Sequence, residues 1–166
     1  MMNAYFAGGC FWCITPIFKS ITGVQEVISG YSGGKEENPN YEDVKAQQTG
    51  HRETIQITYD ESKVSFEKLL NIFLANVDPY DGQGQFIDKG FSYTLAIFYN
   101  NQEEYNLSSR KIHQLETKSN KKVHIALEPF STFYKAEDYH QDYYLKNPEE
   151  FELELVQSGR KKILDD

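Results

Sequence analysis

Gly8-Gly9-Cys10-Phe11-Trp12-Cys13 is the stretch on which the reading of this chain turns. A glycine pair runs into two cysteines that flank two large aromatics. The 166 residues contain only these two cysteines, and Trp12 is the single tryptophan. Apolar Ala4-Tyr5-Phe6-Ala7 precedes the stretch and an amphipathic segment follows, so it reads as strand, glycine turn, helix start. That arrangement aims backbone N–H groups and the positive end of a helix dipole at Cys10. A thiol so placed ionises more readily than usual. The stretch therefore predicts a thiolate nucleophile with an aromatic wall and a second thiol one turn away.

The elements around it follow from periodicity and punctuation. The strand Ala4–Ala7 leads through Gly8-Gly9, a turn few residues tolerate, into a helix from about Phe11 to Thr22. Its apolar stripe is Ile14, Ile17, Phe18 and Ile21. Pro16 either bends the first turn or marks a second start with Thr15 as N-cap. Val24–Tyr31 and His51–Asp60 read as strands, the second with Ile55, Ile57 and Tyr59 alternating with Thr54, Gln56 and Thr58. Between them lies a long Gly/Asn/Pro-rich loop, 32–50, of the kind that usually carries function. Ser65 caps a helix carrying Phe66, Leu69, Leu70, Phe73 and Leu74. A second long loop, 80–92, precedes the strand Tyr93–Tyr99. A charged helix is expected from Gln102 to about Asn120, with Tyr105, Ile112 and Leu115 inward. Val123, Ile125 and Leu127 make the last clear strand, and Phe133–Pro148 reads as a short helix wrapped over the sheet. The tail beyond it has no decisive pattern. The order predicts an α/β (α+β) fold: one domain over 1–166, a split βαβ, ferredoxin-like core of mixed sheet with packed helices, and a tail from 149 to 166.

Composition narrows the function classes. Hydrophobic residues make up 39% and aromatics 14%, so a core can form. The net charge of −8 argues against nonspecific nucleic-acid binding and against an anionic membrane surface. No apolar run reaches membrane-spanning length. Met1-Met2-Asn3-Ala4 shows no basic region and no signal-peptide core, so a cytoplasmic location is expected. Thiols stay reduced there, and a cysteine pair is more often catalytic or metal-binding than structural.

Cys10-x-x-Cys13 admits three chemistries. Half of a zinc site would need two more ligands, and His51, His113, His124 and His140 lie far apart in sequence. A general disulfide oxidoreductase would use cysteines at this spacing, but it needs an exposed surface. Phe11 and Trp12 instead build a wall suited to a small apolar group such as a methyl. Glu53 is by default a solvated carboxylate. Its parity with Ile55 and Ile57 turns it to the core side, where aromatic neighbours would keep it protonated and able to donate. Tyr41, Asp88 and Tyr93 lie in or beside the long loops. Composition alone does not separate them from packing tyrosines and a turn former.

Together these residues make the chain resemble the A-type peptide methionine sulfoxide reductases. The resemblance rests on Gly9-Cys10-Phe11-Trp12, Gly30-Tyr31-Ser32-Gly33-Gly34, Asn38-Pro39-Asn40-Tyr41, Thr49-Gly50-His51-Arg52-Glu53, Gly84 to Gly90, Tyr93, Ala96-Ile97-Phe98 and Ala136 to Gln141, in the family's order. It implies reduction of the S epimer of methionine sulfoxide, free or within oxidised proteins, without a cofactor and with thioredoxin as reductant. It implies that Cys10 attacks the sulfoxide sulfur, Phe11 and Trp12 hold the ε-methyl, and Glu53 protonates the oxygen. Tyr41 and Tyr93 would hydrogen-bond that oxygen, and Asp88 would order the site through water.

The chain departs from the family in informative places. Cys13 stands where many members have glycine, and no downstream or C-terminal cysteine follows. Lys45 occupies a position where some members carry one. Cys13 is therefore the expected resolving thiol of a monomeric enzyme. Lys89 and Thr94 replace a histidine and an arginine common around the Asp88 and Tyr93 positions, changes expected to act on affinity or pH response.

Overall fold

A computed structural model describes residues 1–158. Four strands form the heart of the sheet: β1 (Met2–Ala7), β2 (Val24–Ser32), β3 (Arg52–Tyr59) and β6 (Leu95–Tyr99). β3 lies between β1 and β2 and runs antiparallel to both. β1 and β2 are thus parallel, joined by helix α1 (Phe11–Lys19), with β3 inserted between them. This is the split βαβ unit expected from the element order. Helix α3 (Phe66–Ala75) returns the chain toward β6, which pairs antiparallel with the free side of β1. The spatial order β6-β1-β3-β2 is the ferredoxin-like one. β7 (Ile125–Pro129) extends it parallel to β6, and β8 (Phe133–Lys135) extends it antiparallel to β2, giving six strands.

Local chemistry explains the element ends. Ser65 caps α3 by accepting the Lys68 amide, and Asn101 caps α4 (Gln102–Ser119) by accepting that of Glu104. Asn120 closes α4 in the left-handed region at φ 58°. On the face of the sheet covered by α1 and α3, Phe6, Phe11, Phe18, Ile55, Ile57, Leu70 and Phe73 form the main core. A smaller cluster of Tyr5, Ala7, Ala96 and Phe98 lies under Phe130 and Phe133, with Tyr5 stacked on Phe130 at 3.9 Å.

Several expectations change. α1 stops at Lys19 rather than Thr22 and runs straight through Pro16. Thr15 is no second cap, for its hydroxyl donates to the Phe11 carbonyl one turn back. The first long loop holds a short helix, α2 (Tyr41–Lys45), and the second holds a small hairpin, β4 (Gly84–Gln85) and β5 (Asp88–Lys89), followed by a 3₁₀ turn, Phe91–Tyr93. On α4 the fully buried residues are Glu104 and Ser108, while Tyr105, Ile112 and Leu115 are partly covered. The expected helix over Phe133–Pro148 is instead strand β8, a 3₁₀ turn at Asp138–His140 and helix α5 (Tyr143–Lys146). The open edge of β2 supplies unpaired backbone groups, and pairing there outweighs any helical preference of three residues. The tail forms α6 (Pro148–Ser158). Residues 159–166 lie outside the described part.

Candidate active site

The site is built where β1 ends. β1 stops pairing with β3 at Phe6↔Ile55, while β3 continues to Glu53 and Arg52 opposite β2. The chain leaves the sheet through Gly8 and Gly9. A Cβ on Gly8 would sit 2.3 Å from Ile14 Cδ1, and Gly9 takes φ 88°, a conformation costly for other residues. This turn makes Cys10 the N-cap of α1, in extended conformation. Glu53 then looks into the space the turn vacates. Its Oε1 accepts the Phe11 amide at 3.2 Å, so a carboxyl lies one residue from the thiol. Glu53 is 1% exposed, in line with its parity with Ile55 and Ile57.

The loop residues arrive by separate routes. Asn40 caps α2 by accepting the Asp43 amide, which makes Tyr41 the first residue of that helix. The Tyr41 ring lies against Phe11 at 6.4 Å and Trp12 at 6.0 Å. Gln47 joins the two long loops: its amide donates to Ser92 Oγ at 2.8 Å and accepts the Ser92 backbone N–H at 2.9 Å. Tyr93 is thereby drawn to the same place. Burial raises the pKa of its phenol, with the charges of Glu53, Tyr41, Cys10 and Asp88 adding in that order. Those four groups are thus the electrostatic neighbours of one buried hydroxyl. Asp88 sits on β5 opposite Gln85. Gln85 is buried and grips the Asp78 backbone through both ends of its amide, at 2.8 Å each, which pins the hairpin.

The positions that depart from the family have visible partners. Lys89 pairs with Asp81. Thr94 Oγ1 accepts from Arg52 Nε at 2.9 Å and donates to the Phe91 carbonyl, tying β3 to the turn that carries Tyr93. The Lys45 ammonium lies 5.7 Å from the centre of the Tyr41 ring.

Cys10 and Cys13 are not joined in a disulfide, and both are buried, Cys10 at 5% exposure and Cys13 at 1%. Leu155 and Phe151 of α6 cover them, and Trp12 completes the cluster. Among the described residues no group of three or more His, Cys, Asp or Glu could hold a metal ion. No helix there is long and apolar enough to cross a membrane.

Sequence reasoning passed over a second set of residues, on the segment Ala136–Gln141. Glu137 accepts the Tyr41 amide at 3.0 Å and the Tyr31 hydroxyl at 2.9 Å. Burial pushes its carboxyl up, but those hydrogen bonds and the nearby His140 outweigh it, and the net shift is down. Gln141 accepts the Ser29 amide and donates to the Ser29 carbonyl, fastening the segment to β2. His140 Nδ1 accepts the Trp12 indole proton at 2.9 Å. Tyr143, at the start of α5, stacks flat on Trp12 at 4.0 Å. The motif was visible in sequence, but nothing in it said which elements its side chains would tie together.

Comparison with known proteins bears on what such a site does. A family model described as peptide methionine sulfoxide reductase matches residues 2–166. The chain is 46% identical over 164 residues to peptide methionine sulfoxide reductase MsrA 2 of Staphylococcus aureus, covering 98% of this chain and 93% of that one. It is 44% identical over 165 residues to peptide methionine sulfoxide reductase MsrA of Bacillus velezensis, at the same coverages of 98% and 93%. Among solved structures it is similar to methionine sulfoxide reductase A of Corynebacterium diphtheriae, with TM-score 0.80 and 27% identity over 88% of this chain and 74% of that one. It is also similar to reduced Mxr1 of Saccharomyces cerevisiae, with TM-score 0.83 and 26% identity over 89% and 86% of the two chains.

Proposed function

The chain belongs to the peptide methionine sulfoxide reductase family, and from that premise we propose how its own residues carry out the reduction. It is an enzyme that returns methionine sulfoxide to methionine. The substrate is the S epimer, free or in oxidised proteins, and one domain in the cytoplasm does the work as a monomer. Cys10, at the N-terminus of α1, attacks the sulfoxide sulfur as a thiolate. Phe11 and Trp12 receive the methyl. A sulfoxide oxygen leaves sulfur only when protonated, and Glu53 supplies that proton. With Oε1 engaged by the Phe11 amide, the acid proton is carried on Oε2. Tyr41 and Tyr93 donate hydrogen bonds to the oxygen, and Asp88 orders water beside it.

The balance is a two-electron exchange between sulfurs. The sulfoxide sulfur is reduced to a thioether, the S–O bond breaks, and oxygen ends on Cys10 as sulfenic acid. The Cys13 thiol then displaces that oxygen as water and a Cys10–Cys13 disulfide forms. Thioredoxin, as a dithiol, reduces the disulfide and restores both thiols. The observation that carries this reading is the pairing of Cys10 at a helix N-cap with the buried Glu53 carboxyl bound to the next amide.

The test is turnover of resolved sulfoxides with mass analysis of the protein. One equivalent of the S epimer leaves wild type about two mass units lighter, as a disulfide, and the R epimer leaves it unchanged. Cys10→Ser abolishes turnover. Cys13→Ser still yields one methionine but stops at a sulfenic acid. Normal thioredoxin-driven turnover by Cys13→Ser removes Cys13 from the cycle, and turnover by Cys10→Ser removes the whole reading.

A further inference from the structure

We infer that Arg52 and Thr94 are positioning residues for the reduction: their hydrogen bond, made behind the site, sets the separation of Glu53 and Tyr93 where both meet the sulfoxide oxygen. This role rests on the reading above, in which Glu53 protonates that oxygen and Tyr93 donates to it.

The early end of β1 creates the need. β1 lies between β3 and β6, with Phe6 opposite Ile55 on one side and Ala7 opposite Ala96 on the other. Counting on from those pairs puts Gly9 level with both Arg52 and Thr94. At Gly9, however, the chain has already left the sheet, at φ 88°. The start of β3 and the turn that leads into β6 therefore face each other with no strand between them. Two strand spacings, about 9 to 10 Å, separate them. No backbone hydrogen bond spans that distance.

The Arg52 side chain does span it. Its Nε donates to Thr94 Oγ1 at 2.9 Å, and Thr94 Oγ1 donates in turn to the Phe91 carbonyl at 2.6 Å. The same carbonyl accepts the Thr94 amide at 3.0 Å and so closes the 3₁₀ turn Phe91–Tyr93. The link thus acts on the turn itself. Nη1 of the guanidinium donates to Glu128 of β7 at 2.5 Å, and the Phe91 ring covers it, with Cζ 4.4 Å from the ring centre. Arg52 is 7% exposed. Held on two sides and one face, it is a strut. The planar fork of arginine serves two partners at fixed angles, which a lysine ammonium does not.

The strut lies away from the substrate. Successive residues of β3 point to opposite faces of the sheet. Glu53 shares the face of Ile55 and Ile57 in the main core, and Arg52 shares the face of Gln56, to which Tyr5 of the smaller core donates. Yet each end of the strut is the chain neighbour of a residue at the oxygen. Glu53 follows Arg52, and Tyr93 precedes Thr94. Burial acts most strongly on the Tyr93 phenol, and among the charges that act on it Glu53 comes first.

A change in that separation acts on rate more than on binding. The sulfoxide oxygen gains charge as the S–O bond breaks, so its donors are needed most in the transition state. The methyl-binding rings of Phe11 and Trp12 stand on α1, which the strut does not touch.

The test is single-turnover release of methionine from the S epimer. Arg52→Met and Thr94→Val are each expected to slow release about tenfold at saturating sulfoxide, with KM within about twofold of wild type. The rate at which a small reagent alkylates Cys10 should not change. Thr94→Ser keeps the hydroxyl and should stay within about twofold of the wild-type rate. The double variant Arg52→Met/Thr94→Val should be no slower than the slower single one, because both remove one bond. A wild-type rate in Thr94→Val overturns the inference, as does Ser as slow as Val, or losses that multiply in the double variant. If Arg52→Met does not fold, the comparison of Val with Ser decides alone. A second readout needs no substrate: the ring resonance of isotope-labelled Tyr93 should move in Thr94→Val and stay in Thr94→Ser. A resonance unmoved in Val overturns the strut. Wild type that turns over no sulfoxide while Tyr93 responds in that pattern overturns the functional reading and leaves the strut standing.

Discussion

The roles proposed for Cys10 and Glu53 make opposite demands on a single site at one pH. A nucleophilic sulfur must shed its proton, and an acid must keep one. Position along the backbone separates them. Cys10 stands at a helix start, where amide dipoles favour a negative sulfur. Glu53 is enclosed in the core on β3, where burial favours the neutral carboxyl. Replacing Glu53 with Gln keeps the shape and an acceptor for the Phe11 amide but removes the proton. The reductive half-reaction should slow by about 10² to 10⁴-fold, the usual weight of general-acid loss. Single-turnover release of methionine measures it, and Cys10 should still react with a thiol reagent. The placement of Cys10 at a helix start and of Glu53 on the core side was legible in sequence, because a glycine turn and strand parity bear directly on where each stands. Glu137 and His140 were not, because their roles are hydrogen bonds to residues some hundred positions away, Tyr41 and Trp12.

The elements differ in how firmly they hold the site. α1, β1 and β3 are packed into the main core, and their geometry is set before any substrate arrives. α6 is attached more lightly. Its inward residues Leu155 and Phe151 rest on the cysteine pair, while Leu153 and Val156 face outward. With Cys10 so covered, access to the sulfur should depend on how firmly α6 is docked. Leu155→Ala should weaken that docking by roughly 2 kcal/mol or more, as for other buried leucines. Alkylation of Cys10 should then accelerate about tenfold or more, since reagent access follows local opening. An unchanged alkylation rate would show that the thiol is reached by another path. The same comparison explains why the tail resisted sequence reading. Its mixed charged and apolar pattern acquires meaning only once two buried sulfurs are known to lie beneath it.

At the scale of the molecule, the ferredoxin-like order β6-β1-β3-β2 puts the two site-bearing strands side by side in the middle of the sheet. The long loops close over their ends and are clamped by Gln47 and Ser92. Such a site depends on the whole fold, so acid should loosen both together. His140 has a native pKa of about 4 against an ordinary 6.5. The unfolded chain therefore takes up this proton first as pH falls. The histidine's contribution is complete above pH 6.5 and is lost progressively between 6.5 and about 4. Glu137, held charged in the native state, adds a loss below its ordinary value of 4.5. Urea unfolding midpoints should fall through the first window in wild type and stay flatter there in His140→Phe.

The sequence by itself determined the local things: the strand–turn–helix around Cys10, the parity of Glu53, the caps at Ser65 and the split βαβ order, along with the resemblance that named the chemistry. Each depends on neighbours within a few positions, where backbone sterics and side-chain periodicity act. The tertiary structure alone decided the rest. It made β8 a strand on an open edge instead of part of a helix, laid α6 over the sulfurs, and tied Trp12 to His140. Those outcomes depend on what lies across the fold, and a hydrogen-bond donor selects its acceptor by distance in space, which the order of residues along the chain does not carry.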